Sequence, residues 1–189
     1  MRKSIILILT LFHYALVFGQ DQLVEDLDND RINDTVYVDR EASRIVCRLS
    51  TQQFKKIQSK DIDVLNENAG VRATKNGFEF YNNWMRAGYS NQFRYDVKTK
   101  KMQLIGMSRY EFGNAMNDGS GESSINLLTN DYIGNWNYFD AKKEQLVKIP
   151  TIKTKMVLGK IYLDTFNDET YFNYAGKCAA FYEKNRKLH

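Results

Sequence analysis

Nine residues near the start of the chain, Asp26-Leu-Asp28-Asn-Asp30-Arg-Ile-Asn-Asp34, place carboxylates at the first, third, fifth and ninth positions of one loop. The seventh position, Ile32, can add its backbone carbonyl. A hard cation such as Ca²⁺ takes about six to eight oxygens, and alternation turns successive side chains toward one point as the backbone wraps. Asp26, Asp28, Asp30, Ile32 and Asp34 are therefore the candidate metal ligands, and Ca²⁺ is the expected cofactor. The competing reading is an Asx-rich surface turn whose like charges are separated by solvent. Four acids within nine residues repel one another, and a bound cation would relieve that repulsion. The sixth position, usually glycine for a sharp turn, is Arg31. The twelfth is Tyr37, where an EF-hand has glutamate, so an EF-hand is excluded.

Other chemistry is narrowed by what the chain lacks. Its two histidines are His13, near the start, and His189, the last residue. Ser-His-Asp and Cys-His catalysis and histidine-ligated zinc lose their central residue. Cys47 and Cys178 are too few for a zinc site. Two buried thiols and one disulfide are both open from the sequence. Paired carboxylates remain for glycan hydrolysis. Glu79, Glu111, Asp118 and Glu122 are available, but no spacing selects a pair, so no catalytic residue and no organic-cofactor site is assigned. The glycine-rich Asp118-Gly-Ser-Gly-Glu122 has no helix after it and reads as a loop.

The elements that position these residues are mostly strands. DTVYVD alternates Val36 and Val38 with Tyr37, and a turn over 40–43 returns as RIVCRLS, with Ile45, Cys47 and Leu49 on one face. Asn76-Gly77 between alternating runs predicts a type I′ hairpin. Residues 91–112 read as a central hairpin whose return strand is apolar on both faces around 104–107. Gly106 there marks a bulge or a close backbone approach. Tyr132, Trp136 and Tyr138 share a strand face that suits sheet core better than a sugar platform. Trp84, in a loop with Asn82, Asn83 and Arg86, is the better candidate for exposure. Thr165 with Asp168 has capping-box spacing. A helix over about 167–187 follows, its stripe formed by Phe172, Ala175 and Ala179 with Cys178 and Tyr182 alongside. The fold class is α+β, mainly β: an antiparallel meander, sandwich or open barrel, with one C-terminal helix.

The Asp-rich loop, leading directly into the strand at Thr35–Val38, resembles the calcium loops of FG-GAP and related repeat proteins. The wording of the chain after the leader is similar to uncharacterised secreted proteins of Gram-negative, Bacteroidetes-type bacteria, which implies a compartment and little mechanism.

Arg2 and Lys3 precede an apolar run from Ile5 to Phe18, and small residues end at Gly19. This predicts a signal peptide over 1–19, cut before Gln20, ahead of a single domain over 20–189. The run is short for a membrane anchor and is interrupted by His13 and Tyr14. Against 23 acids stand 27 basic residues, including Arg2 and Lys3, and the lysines sit in turns instead of one block. A nucleic-acid partner is not expected. The expectation is a periplasmic or extracellular, non-enzymatic binding domain with a structural calcium loop and an unknown protein or glycan partner. It has no membrane span after cleavage. The alternative is a carboxylate-dependent glycan hydrolase or glycan-binding module.

Overall fold

The computed structural model describes residues 22–188, so the expected leader lies outside the described residues. The first sheet runs β1 (Gln22–Glu25), β2 (Asp34–Asp39), β3 (Arg44–Arg48) and β4 (Lys56–Gln58), each antiparallel to its neighbour. Alternation builds it as the sequence implies. Val36 and Val38 are buried while Tyr37 is half-buried, and Ile45, Cys47 and Leu49 are all inside.

The second sheet is a meander of β5 (Gly70–Thr74), β6 (Gly77–Asn83), β7 (Ala87–Asp96), β8 (Lys101–Glu111), β9 (Gly121–Asn126), β10 (Asp131–Asp140) and β11 (Gln145–Lys148), lying side by side. An eighth strand, β12 (Ile152–Lys155), pairs with the other half of β10. Pro150 separates β11 from β12, a break that an edge strand tolerates because no ladder bond is lost. The sheet stays open, so the class is α+β, mainly β, with one C-terminal helix and no closed barrel.

Several local readings shift. The β5–β6 hairpin pairs Thr74 with Gly77, so Lys75 and Asn76 form the turn, one residue earlier than the Asn76-Gly77 signal implied. Gly77 serves close approach instead. Its φ is +147°, and a Cβ there would lie 2.2 Å from the Phe93 carbonyl oxygen. The return strand β8 is central but not apolar on both faces. Gln92 faces Gly106 while Phe93 faces Leu104, which leaves Ile105 as a bulge. That extra residue reverses the pleat. Met102 and Leu104 are buried before it and Met107 after it, all toward one side, while Ile105 is half-buried.

The helix α1 spans Asp168–Arg186. Its cap is Asn167, whose side chain accepts the Thr170 N–H at 3.2 Å. Thr165 belongs to the short 3₁₀ turn before it. The buried stripe is Tyr171, Tyr174, Cys178 and Tyr182, while Phe172 is 52% exposed and Ala179 is exposed. Tyrosine wins this face because its hydroxyl finds partners under the helix: Tyr174 meets Ser123 Oγ at 2.9 Å. Both cysteines are buried free thiols, Cys47 in β3 and Cys178 in α1.

One continuous cluster joins both sheets and the helix. The platform candidates Tyr132 and Trp136 lie within it, and Tyr138 packs against it half-buried. Trp84 is likewise anchored, 5.4 Å from the Tyr89 ring and 6.0 Å from Tyr171. The bulge makes a quantitative contrast between adjacent residues. Leu104→Ala is expected to cost about 2–5 kcal/mol in urea unfolding, the usual range for a buried aliphatic side chain. Ile105→Ala is expected to cost no more than about 1 kcal/mol. Equal losses would mean that both faces of β8 are core.

Candidate metal centre

The aspartate loop joins β1 to β2, and the backbone folds it inward. Asn29 and Arg31 both adopt left-handed conformations, with φ of 65° and 71°. Asparagine tolerates this. For arginine it costs about 1–2 kcal/mol, the strain that glycine at the sixth position would avoid. Arg31 therefore keeps the sharp turn without the glycine. Asp26 closes the loop by accepting the N–H groups of Asp30 at 3.1 Å and Arg31 at 2.9 Å.

Asp26, Asp28 and Asp34 each bring one carboxylate oxygen to within 4.8 Å of the others. These three could hold a metal ion, and their donors are all hard oxygens. Asp28 is only 7% exposed and Asp34 is fully buried. Asp30 is aimed elsewhere: one oxygen accepts the Ile32 N–H at 2.7 Å and the other the Ser50 hydroxyl at 2.7 Å. Ile32 has an exposed side chain. Of the five expected ligands, then, three carboxylates converge and Asp30 stands beside them as a brace.

The supporting shell comes from the turn after β3. Ser50 N–H donates to Asp34 Oδ1 at 2.7 Å, Leu27 N–H donates to Asp34 Oδ2 at 2.8 Å, and the Thr51 hydroxyl donates to Asp28 Oδ2. Ser50 and Thr51 escape a sequence reading because they lie well downstream, and only the β2–β3 register brings them under the loop. Burial pushes the Asp34 carboxyl above its ordinary range. The Ser50 and Leu27 N–H groups oppose that push, while the charge of Asp28 adds to it. Burial also raises the Cys47 thiol, with the charges of Asp34 and Asp28 adding to the effect. Among the described residues no lysine or arginine forms an ion pair with any of the four aspartates.

Asp28 Oδ1 is buried and has no hydrogen-bond partner. On the Asp26 side of the cluster lies a cavity of about 450 Å³, lined by Asp26, Asn29, Lys75, Arg94 and Tyr95 among others. Of the other candidate acids, Glu122 lines the same shallow cavity as Glu111, and the remaining pairings are separate. Glu79 pairs with Arg72, Glu111 with Arg109 and Asp118 with Arg186. Asp118 also accepts the Phe139 N–H at 2.7 Å, which ties down the glycine-rich loop. No protein-family model, curated protein or solved structure matches the chain.

The hydrogen bonds rank the aspartates by structural weight. Asp34→Ala leaves two backbone N–H groups without their charged acceptor, and its expected cost is about 2–4 kcal/mol in chelator. Asp30→Ala, which removes a partly exposed brace, is expected to cost about 1 kcal/mol. Urea unfolding of both variants in chelator checks the order, and a reversed order would mean that Asp34 does not hold the loop.

Proposed function

We propose that the protein is a secreted or periplasmic, non-enzymatic binding domain whose small sheet is fastened by a structural Ca²⁺. The observation that carries the metal is the orphaned Asp28 Oδ1, buried beside two further carboxylates with no cation among the ion pairs. A buried carboxylate oxygen without a partner is costly, and a bound cation offsets that cost. Calcium is favoured among metals because the donors are carboxylates, with the Ile32 carbonyl able to complete them, and because Ca²⁺ accepts irregular oxygen cages. The likeness of the loop to FG-GAP-type calcium loops supports the same choice. The apolar run behind Arg2 and Lys3 supports export. The separate pairing of Glu79, Glu111 and Asp118 with arginines favours binding over carboxylate-pair hydrolysis. Among the described residues no helix is long and apolar enough to cross a membrane.

Thermal unfolding with calcium, magnesium and chelator tests the metal. At ten times Kd, a ligand of the native state alone adds about 1.4 kcal/mol, and for a chain of this size that moves Tm by about 3–6 °C. Calcium is expected to give this shift in the millimolar range and magnesium a smaller one. Asp28→Asn is expected to remove the shift and Asp39→Ala to leave it. Superimposable curves across millimolar calcium would sink the metal reading.

A further inference from the structure

We infer that the uncovered face of the large sheet is a trough that binds a neutral oligosaccharide, an inference that rests on the reading of the chain as a binding domain. Side chains opposite the core on β5–β10 line three shallow cavities of about 380, 280 and 520 Å³. The first two share Ser90 and Ser108, and the second and third share Tyr110 and Glu122, so they join into one path. From Arg72 on β5 to Lys148 on β11 that path crosses about 29 Å at ordinary interstrand spacing. This leaves room for several sugar rings.

The floor is low by composition. Ser90 and Ser108 meet across β7 and β8 at 2.8 Å, and Gly106 lies beside them. Serine and glycine are poor choices for the middle of a sheet unless something must approach the backbone. A face meant only for water would take lysine in a chain this rich in it. Yet β6, β7, β9 and β10 contain none, and β8 has only Lys101 at its start.

Two tyrosines lie down on glycines along this face. A Cβ on Gly70 would meet the Tyr81 hydroxyl at 2.5 Å, and one on Gly88 would meet the Tyr110 ring at 2.6 Å. Arg72 sits over the outer face of Tyr81 at 5.3 Å. Tyr110 is left as the stacking platform, with Phe112 inclined at its side. Beyond it, Arg72 and Gln92 hold the Glu79 carboxylate in place.

The chemistry of the walls selects the occupant. Between the end strands β5 and β11, the strands β6–β10 are interior and their backbone groups are already paired, so an extended peptide gains no ladder bonds on the floor of the trough. Arg72 is matched by Glu79 and Arg109 by Glu111. Arg94 and Lys148 stand singly in the first and third cavities and Glu122 lines the second and third, so no basic cluster faces a polyanion. Hydroxyls, amides and a flat aromatic ring remain, and these suit a neutral, hydroxyl-rich ring system.

Amide NMR shifts of the calcium-loaded protein, titrated with β-linked hexasaccharides of glucose, N-acetylglucosamine and mannose and with an anionic uronic-acid hexasaccharide, test the inference. At least one neutral hexasaccharide is expected to shift the amides of Ser90, Gly106, Ser108 and Ser124. Tyr110→Ala is expected to weaken that binding about tenfold. Because Tyr110 also covers Gly88, Ser108→Val is the second variant: it suits a strand, raises the floor and is expected to abolish binding with the fold intact. Shifts from no neutral sugar, shifts confined to other surfaces, tighter binding of the anionic sugar, or an unaffected Ser108→Val would each overturn it. A hexasaccharide that binds here and is shortened overturns the non-enzymatic reading and leaves the trough standing. A flat calcium melting curve touches only the metal.

Discussion

The inner face of the large sheet carries Phe78, Phe80, Phe93, Met102, Leu104, Met107, Tyr132 and Trp136, and it cannot stay in water. Burying each such side chain is favourable by about 1.5–3 kcal/mol, so covering this face dominates the stability of the fold. No single element is wide enough. The four-stranded sheet covers the face toward β5 and β6, and α1 covers it toward β10. The two covers meet at Phe166, which is fully buried and stands edge-on to Phe80 at 6.2 Å and Phe93 at 5.4 Å. Its carbonyl accepts the Lys60 N–H at 2.9 Å, so one residue joins the loop after β4 to the entry of the helix. At the far end of the helix, Trp136 lies under Tyr182 at 6.3 Å, and Asp118 meets Arg186 at 3.6 Å.

That division explains why the acidic loop sits where it does. The small sheet is thin: β1 has no buried residue, and β4 is three residues long. Its strands alone fix the cover weakly, so extra ties fall on the loop between β1 and β2. Asp34 joins Leu27 and Ser50, Asp30 reaches Ser50, and Asp28 reaches Thr51. The ties to Asp28 and Asp34 take those two acids out of water, and burial disfavours the charged form of Asp34. Holding the backbone together in this way gathers Asp26, Asp28 and Asp34 into a group that could hold a metal ion.

Where a pattern is local, the sequence was legible. Period-two alternation located β2, β3 and β10, and the helix came within a residue at each end because its last turn carries Lys184 and Arg186 beyond the apolar stripe. The acids at alternate positions of the loop predicted convergence, and three of four converge. What failed depends on distant partners. The stripe expected on α1 runs through Phe172, Ala175 and Ala179 with Cys178 and Tyr182 alongside. Cys178 and Tyr182 are buried, but Tyr171 and Tyr174 take the rest of that face. Ser123, across the core, is what lets Tyr174 bury its hydroxyl. Ser50 and Thr51 carry no signal until the register of β3 places them under the loop. The apolar residues on both parities of β8 suggested burial on two faces, whereas a single inserted residue produces the same pattern with burial on one.

That inserted residue has a consequence for the outer face. Without the Ile105 bulge, the parity that buries Met102 and Leu104 would turn Met107 outward and bring Ser108 and Tyr110 inward. With it, Met107 and Arg109 go under the helix, where Arg109 lies over the Trp136 ring at 5.3 Å and pairs with Glu111. Ser108 and Tyr110 go outward, opposite Ser90 and Gly88. The bulge thus divides β8 into a segment that serves the core under the small sheet and one that serves both the helix and the trough. A strand of strict alternation could satisfy the first of these or the second, and only the extra residue lets one continuous strand do both.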